Sequence, residues 1–385
     1  MSIEGNRHAC QKWGILLLAT LFIFVTANTL SGGSIKFIKK LEFSPQVQSP
    51  ESPGKPELPL NPWSFCVTDD ELFMIPDYPA GNVKIYEVNG EYLELIKTIG
   101  RKGYFGPKAL AKPAYCFYSN DEYKFGVVDL GIRKIFIYDR IGRTQFKRVQ
   151  EVFCPHGATD LQLINNKLFI SGYTTSPDGG DYDFYYVDLA DEQPTVLLPS
   201  YHKFGFKSFD DHKKKYSKNH IPAIGIFGWA DISNDNAYFV WEGNLKIIKL
   251  NVVTGEVAPK TFGYQPPDYI KPYASKALVK GLHTQDKYIV ESERARMSYV
   301  VKIFATAAHL LVIYKGPVNQ FNQSNYRLQF YTFDGDFIEE AAIPGQPGHR
   351  MWFDKDKKIL YSLSNEPNES SSGITHFILE YEIQE

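Results

Sequence analysis

Signatures of catalysis are missing from this 385-residue sequence. It has no GxSxG elbow, no HExxH pair and no Walker-type glycine loop. That removes the common serine-hydrolase, zinc-protease and nucleotide-phosphate arrangements. The one glycine-rich stretch, Gly100–Gly106 (GRKGYFG), precedes no helical pattern and reads as a loop between repeats. Charge of one sign is also lacking. A formal net charge of −2 gives no basic field to attract nucleic acid. Cysteine is scarce, with Cys10, Cys66, Cys116 and Cys154 widely spaced. No CxxC or HxxxH spacing suggests a metal site, and three cysteines beyond the N-terminal segment do not make a disulfide framework. Cys66 and Cys116 lie in apolar runs and read as small buried hydrophobes. His212 and His220 sit in a basic run without ligand spacing, which reads as a solvated helix face.

What is abundant points to strands. Tyr and Phe number 25 and 27, and both suit pleated, half-buried surfaces. At the N-terminus, Arg7 and Lys12 precede an apolar run, Trp13–Val25, followed by Val25-Thr26-Ala27. A charged start, a short apolar core and a small-residue exit describe an export signal over 1–27. The run is shorter than the roughly 18 residues of a membrane span. An uncleaved anchor is the alternative. Either way the rest of the chain is expected outside the cytoplasm, with membrane contact only through this segment.

Beyond it, one pattern recurs about every 40–50 residues, near the spacing of propeller blades. Each unit has an apolar strand, an acidic or Asn-rich turn, a second strand, a polar loop, and a third strand ending at a turn residue. The third strands align as VKIYEVNG, IFIYDRIG, FYYVDLAD, IIKLNVVTG and LQFYTFDG, each with period-two alternation. No unit carries a convincing amphipathic helix in place of a strand. The expectation is an all-β, six-bladed propeller over 64–385, with blades at about 64–100, 114–153, 158–200, 228–263, 299–345 and 349–385. The last unit lacks a fourth strand, and an orphan strand, Ser34–Phe43, is expected to complete it and close the ring. Residues 28–63 are then this closing strand and a stiff link with six prolines between Ser44 and Pro62.

Segments such as GNVKIYE and RKIFIYDRIG resemble the bacterial six-bladed propellers related to NHL-repeat and TolB-like domains. The likeness covers nearly the whole chain after the export signal. It implies architecture and no single activity, because such propellers include binding scaffolds, lyases, lactonases and other hydrolases. The WD dipeptide and kelch signatures are absent.

Strand order predicts which face works. Loops after second and fourth strands share one face. The long insertions 201–225 and 264–297 fall there, as do the loops 174–181, 316–325 and 365–375. Long loops are often binding surfaces or lids. Candidate ligand-binding residues at strand ends on that face are Asp77 and Tyr78, Asp129 and Arg133, Trp241 and Glu242, Lys315, Arg350 and Trp352. Aromatic faces beside charges suit a small molecule, a glycan or a peptide. Asp77 precedes a PAGN turn and is equally suited to capping it. No catalytic residue is assigned. No cofactor is expected, except that Asp160 and Asp231, near the channel-lining first strands, are candidates for Ca²⁺ assembled between blades. A monomer is expected. A non-catalytic binding propeller leads; a hydrolase, lactonase or lyase with its site at the channel mouth is the alternative.

Overall fold

In the computed structural model the described residues are 33–44, 62–154, 158–199, 228–318, 325–367 and 374–385, less 104–105, 107, 176–180, 192–193, 259, 274 and 285, together with 48–49, 52–56 and 59. The export signal and the insertion 201–225 lie outside them.

The fold is all-β, built of successive antiparallel meanders. Four strands, Pro113–Ser119, Lys124–Asp129, Lys134–Gly142 and Gln145–Phe153, pair in sequence order. So do Ala158–Ile164, Lys167–Thr175, Asp181–Asp188 and Pro194–Pro199, and later Tyr299–Ala305, Leu310–Lys315, Tyr326–Tyr331 and Phe337–Ala342. Between these lies a three-stranded sheet, Gly228–Ser233, Asn236–Trp241 and Asn244–Asn251. In place of a fourth strand it has two isolated bridges, Leu250 to Val257 and Ile247 to Phe262.

Eight further strands form one sheet. Ser34–Phe43 runs antiparallel along Ile374–Gln384, from Ser34 opposite Gln384 to Glu42 opposite Phe377. Its far end lies parallel to Tyr92–Ile99. That strand continues into Asn82–Asn89, Leu72–Asp77 and Cys66–Val67.

First strands touch one another in turn. Cys66–Val67 contacts Pro113–Ser119, then come Ala158–Ile164, Gly228–Ser233, Tyr299–Ala305 and Arg350–Asp354, which returns to Cys66–Val67. Between neighbouring sheets sits a buried apolar cluster, such as Val128, Ile135, Leu161 and Ile170. Inner strands are therefore apolar on both faces, while an outer strand such as Gln145–Phe153 is largely exposed and polar. Tight turns follow local chemistry. Asn165 and Asn166 both have positive φ between Ile164 and Lys167, the backbone a two-residue hairpin needs and asparagine tolerates.

Two short helices occur among the described residues, α1 (Lys276–Thr284) and α2 (Lys287–Ala295), inside the long insertion before Tyr299. The Asp286 carboxylate caps α2 by accepting the amide N–H groups of Tyr288 and Ile289. Leu278 packs with Met297 and Tyr299 and fastens the pair to the sheet. Among the described residues, no helix is long and apolar enough to cross a membrane.

Cys66, Cys116 and Cys154 are buried thiols outside any disulfide among the described residues. Burial pushes the Cys66 thiol well up and the Cys154 thiol to about 12. The thiolate is the reactive form, so iodoacetamide at pH 8 is expected to leave Cys66 and Cys154 unlabelled in the native protein and to label both in urea. Mass spectrometry of the two samples checks this; labelling in the native state would contradict it.

Candidate functional site

Pairing registers bring the sequence candidates to one end of their sheets. Trp241 stands opposite Gly228, Asp129 opposite Pro113, Lys315 opposite Tyr299, and Arg350 begins the last first strand. Their roles there diverge.

Asp77 is fully buried and pairs with Lys84 at 2.8 Å. Asp129 is fully buried and accepts amide N–H groups from Ala111, Lys112, Gly131 and Ile132 at 2.6–3.3 Å. Both carboxylates brace local turns. Asp129→Ala is expected to cost about 2–4 kcal/mol in urea unfolding, because it strands buried donors. A loss under 1 kcal/mol would show that those donors are satisfied without it. Trp241 is buried and donates its indole N–H to Asp183 Oδ2 at 3.2 Å. The Glu242 carboxylate accepts from Arg294 of α2 at 2.7 Å. Arg133 has positive φ and stacks its guanidinium 5.1 Å from the Phe153 ring centre.

The other candidates meet at the mouth of the channel. Trp63 stacks flat on Tyr78, with ring centres 5.0 Å apart. Beside them lies a cavity of about 80 Å³ walled by Trp63, Tyr115, Trp229 and Trp352, with His349 and Arg350 at its edge. Burial lowers the pKa of the half-buried Arg350 and that of Lys315, the latter further depressed by Arg294. His349 touches water at the mouth but is walled by protein elsewhere. Crowding by protein, with the positive charges of Lys315, Arg294 and Arg350, lowers its pKa below the ordinary imidazole value. His349 is therefore neutral at ordinary pH, with Nδ1 3.0 Å from the Tyr326 hydroxyl.

A second, larger cavity of about 540 Å³ lies at the other end of the first strands, among the turns that follow them. Asp121, Asp160, Asp231, Asp235, Asp354 and Asp356 line it, against Lys302 and Lys355. Asp160, Leu161, Lys302 and Trp352 line both cavities and form the waist between them. At the waist Lys302 Nζ lies 2.6 Å from Asp160 Oδ1, while Asp160 Oδ2 is buried without a hydrogen-bond partner. Burial raises the Asp160 pKa, with Asp231 adding to the rise and Lys302 opposing it.

Asp231 is fully engaged. Its Oδ1 accepts from Gln162 Nε2 at 2.8 Å, from the Ile232 amide at 2.7 Å and from Lys355 Nζ at 3.0 Å. Its Oδ2 accepts from the Ala305 amide at 2.7 Å. Ammonium groups thus stand beside both carboxylates considered for Ca²⁺, where a divalent ion would meet repulsion. Among the described residues no cluster of three or more His, Cys, Asp or Glu is arranged to hold a metal.

Sequence reasoning missed Lys302, Lys355, His349, Trp63 and Tyr115. The acidic and Asn-rich turns were visible as turns, but nothing local marks them as the rim of a cavity.

No family model and no curated protein sequence matches the chain. Solved structures do. A member of the DUF4221 family from Bacteroides vulgatus superposes with a TM-score of 0.63 at 12% identity, over 91% of this chain and 98% of that one. A Bacteroides fragilis protein described as a "putative exported protein" reaches 0.56 at 13% identity, over 91% of this chain and 96% of that one. At such identities the likeness is one of fold. The meander succession and these neighbours agree on a β-propeller type of architecture. Kinship to the NHL-repeat or TolB-like groups is not established by them.

Proposed function

We propose that this chain is an exported six-bladed β-propeller that serves as a binding module at its loop-rich mouth. Six blades are supported by the closed succession of first-strand contacts and by the apolar clusters between neighbouring sheets. Closure by the N-terminal strand is supported by its long register with Ile374–Gln384. Export rests on the pattern from Arg7 to Ala27 and is in keeping with the description of the Bacteroides fragilis neighbour. One observation carries the binding role: an aromatic-walled mouth with a half-buried cation, Arg350, that no carboxylate pairs, and a second, Lys315, beside His349. Perturbed ionisable groups in a concave aromatic site mark binding or catalytic surfaces.

Thermal melting of the chain from Asn28 onward, against sugars, peptides, organic acids, lactones and metals, tests this. A ligand of the folded state raises the midpoint by mass action, adding about 2.7 kcal/mol of stability at a hundred times Kd. A flat panel, repeated by calorimetry, would remove the small-molecule reading and leave protein partners. Co-purification from envelope extract, with and without residues 201–225, would then decide whether the mouth binds at all.

Asp160 favours a second reading, a propeller hydrolase, lactonase or lyase. A buried carboxyl with raised pKa and one free oxygen is suited to general acid–base work. Turnover of a lactone or ester that vanishes in Asp160→Asn while the melting midpoint holds would support it. Equal turnover in the variant would exclude Asp160.

A further inference from the structure

We infer that the loop-rich mouth takes a small organic carboxylate, gripped by Arg350 and backed by the ring walls. This rests on the binding role proposed above and names the ligand class. Other partly enclosed arginines answer to a carboxylate or a ring: Arg140 to Asp69 and Asp70, Arg327 to Glu340 and Asp268, Arg133 to the Phe153 ring. Arg350 has no hydrogen bond or ion pair among the described residues. The acid that shares its cavity, Asp160, is already paired with Lys302. Lys315 is in the same position, and His349 is neutral and adds no charge. A desolvated cation without a partner is unfavourable, and a guanidinium presents a planar fork that matches a carboxylate.

Geometry limits the ligand further. The cavity beside Arg350 measures about 80 Å³, room for a head group and not for a whole sugar or peptide. Trp63, Tyr115, Trp229 and Trp352 give the remainder of the ligand flat apolar walls. The unpartnered Oδ2 of Asp160 also lies at this cavity, and its repulsion favours a monoanion over a phosphate dianion.

Benzoate is the probe, with benzyl alcohol and inorganic phosphate as comparators, measured by titration calorimetry on the chain from Asn28 onward. Benzoate is expected to bind at least tenfold more tightly than either comparator. Arg350→Gln is expected to weaken benzoate at least tenfold. The same change should raise the melting midpoint of the unliganded protein, because it removes an uncompensated charge. Arg350→Lys should fall between, keeping the charge and losing the fork. Unchanged benzoate affinity in Arg350→Gln would overturn the inference, as would benzyl alcohol or phosphate matching benzoate. If a neutral sugar or peptide binds at the mouth and no carboxylate does, the binding role stands and the carboxylate falls. If nothing binds there, both fall.

Discussion

A chain that begins after Phe43 is expected to lose its cooperative thermal transition. Within the intact chain, Leu41→Ala is expected to cost about 2–5 kcal/mol. The strand Ser34–Phe43 supplies the outer partner of Ile374–Gln384 along nearly its whole length. Leu41 is fully buried and packs with Phe43, Phe65, Tyr361 and Ile378, residues from both ends of the chain. Removing the strand bares the edge of the C-terminal strand from Phe377 to Gln384, which invites pairing with other molecules. It also uncovers the cluster where the last sheet meets the first. Lys36→Ala, at an exposed position of the same strand, should stay within about 0.5 kcal/mol. Urea unfolding followed by circular dichroism measures all three. A truncated chain that melts like the full one would overturn closure by this strand.

The second large effect is expected at Asp231. Asp231→Ala should cost about 3–5 kcal/mol in urea unfolding, because it strips acceptors from buried donors on neighbouring sheets. The Ala305 amide and Gln162 Nε2 would both be left short of a partner. The Lys355 contact adds little, since its side chain is 42% exposed and solvent screens the pair. A double-mutant cycle with Gln162→Ala isolates the link between sheets and should give a coupling of about 0.5–3 kcal/mol. A loss below 1 kcal/mol for Asp231→Ala would show that the carboxylate is not a fastener.

These two sites illustrate what local pattern conveys. The pairing of Ser34–Phe43 with the C-terminal strand was legible because SIKFIKKLEF resembles the fourth strand of the first repeat, LELIKTIG, and because the last repeat lacked a partner. Asp231 was legible only as a carboxylate near a first strand. Its bonds reach Gln162, Ala305 and Lys355, and those separations of 69, 74 and 124 residues follow no local rule. Asp77 and Asp129 show the same division. Sequence placed both at strand ends on the loop-rich face. Lys84 and four backbone amides decide that they brace turns.

By itself the sequence determined the export pattern, the repeated meander, the turns and the end of each sheet that gathers aromatic and charged residues. Those follow from period-two alternation and turn chemistry, which act within about ten residues. Only the tertiary structure decided which charges are neutralised. It paired Asp160 with Lys302 and Glu242 with Arg294, left Arg350 and Lys315 unmatched, and opened a second, acidic cavity at the opposite end of the channel. The physical reason is that desolvation and charge pairing depend on which strands become neighbours, and each strand's own residues are silent about its neighbours.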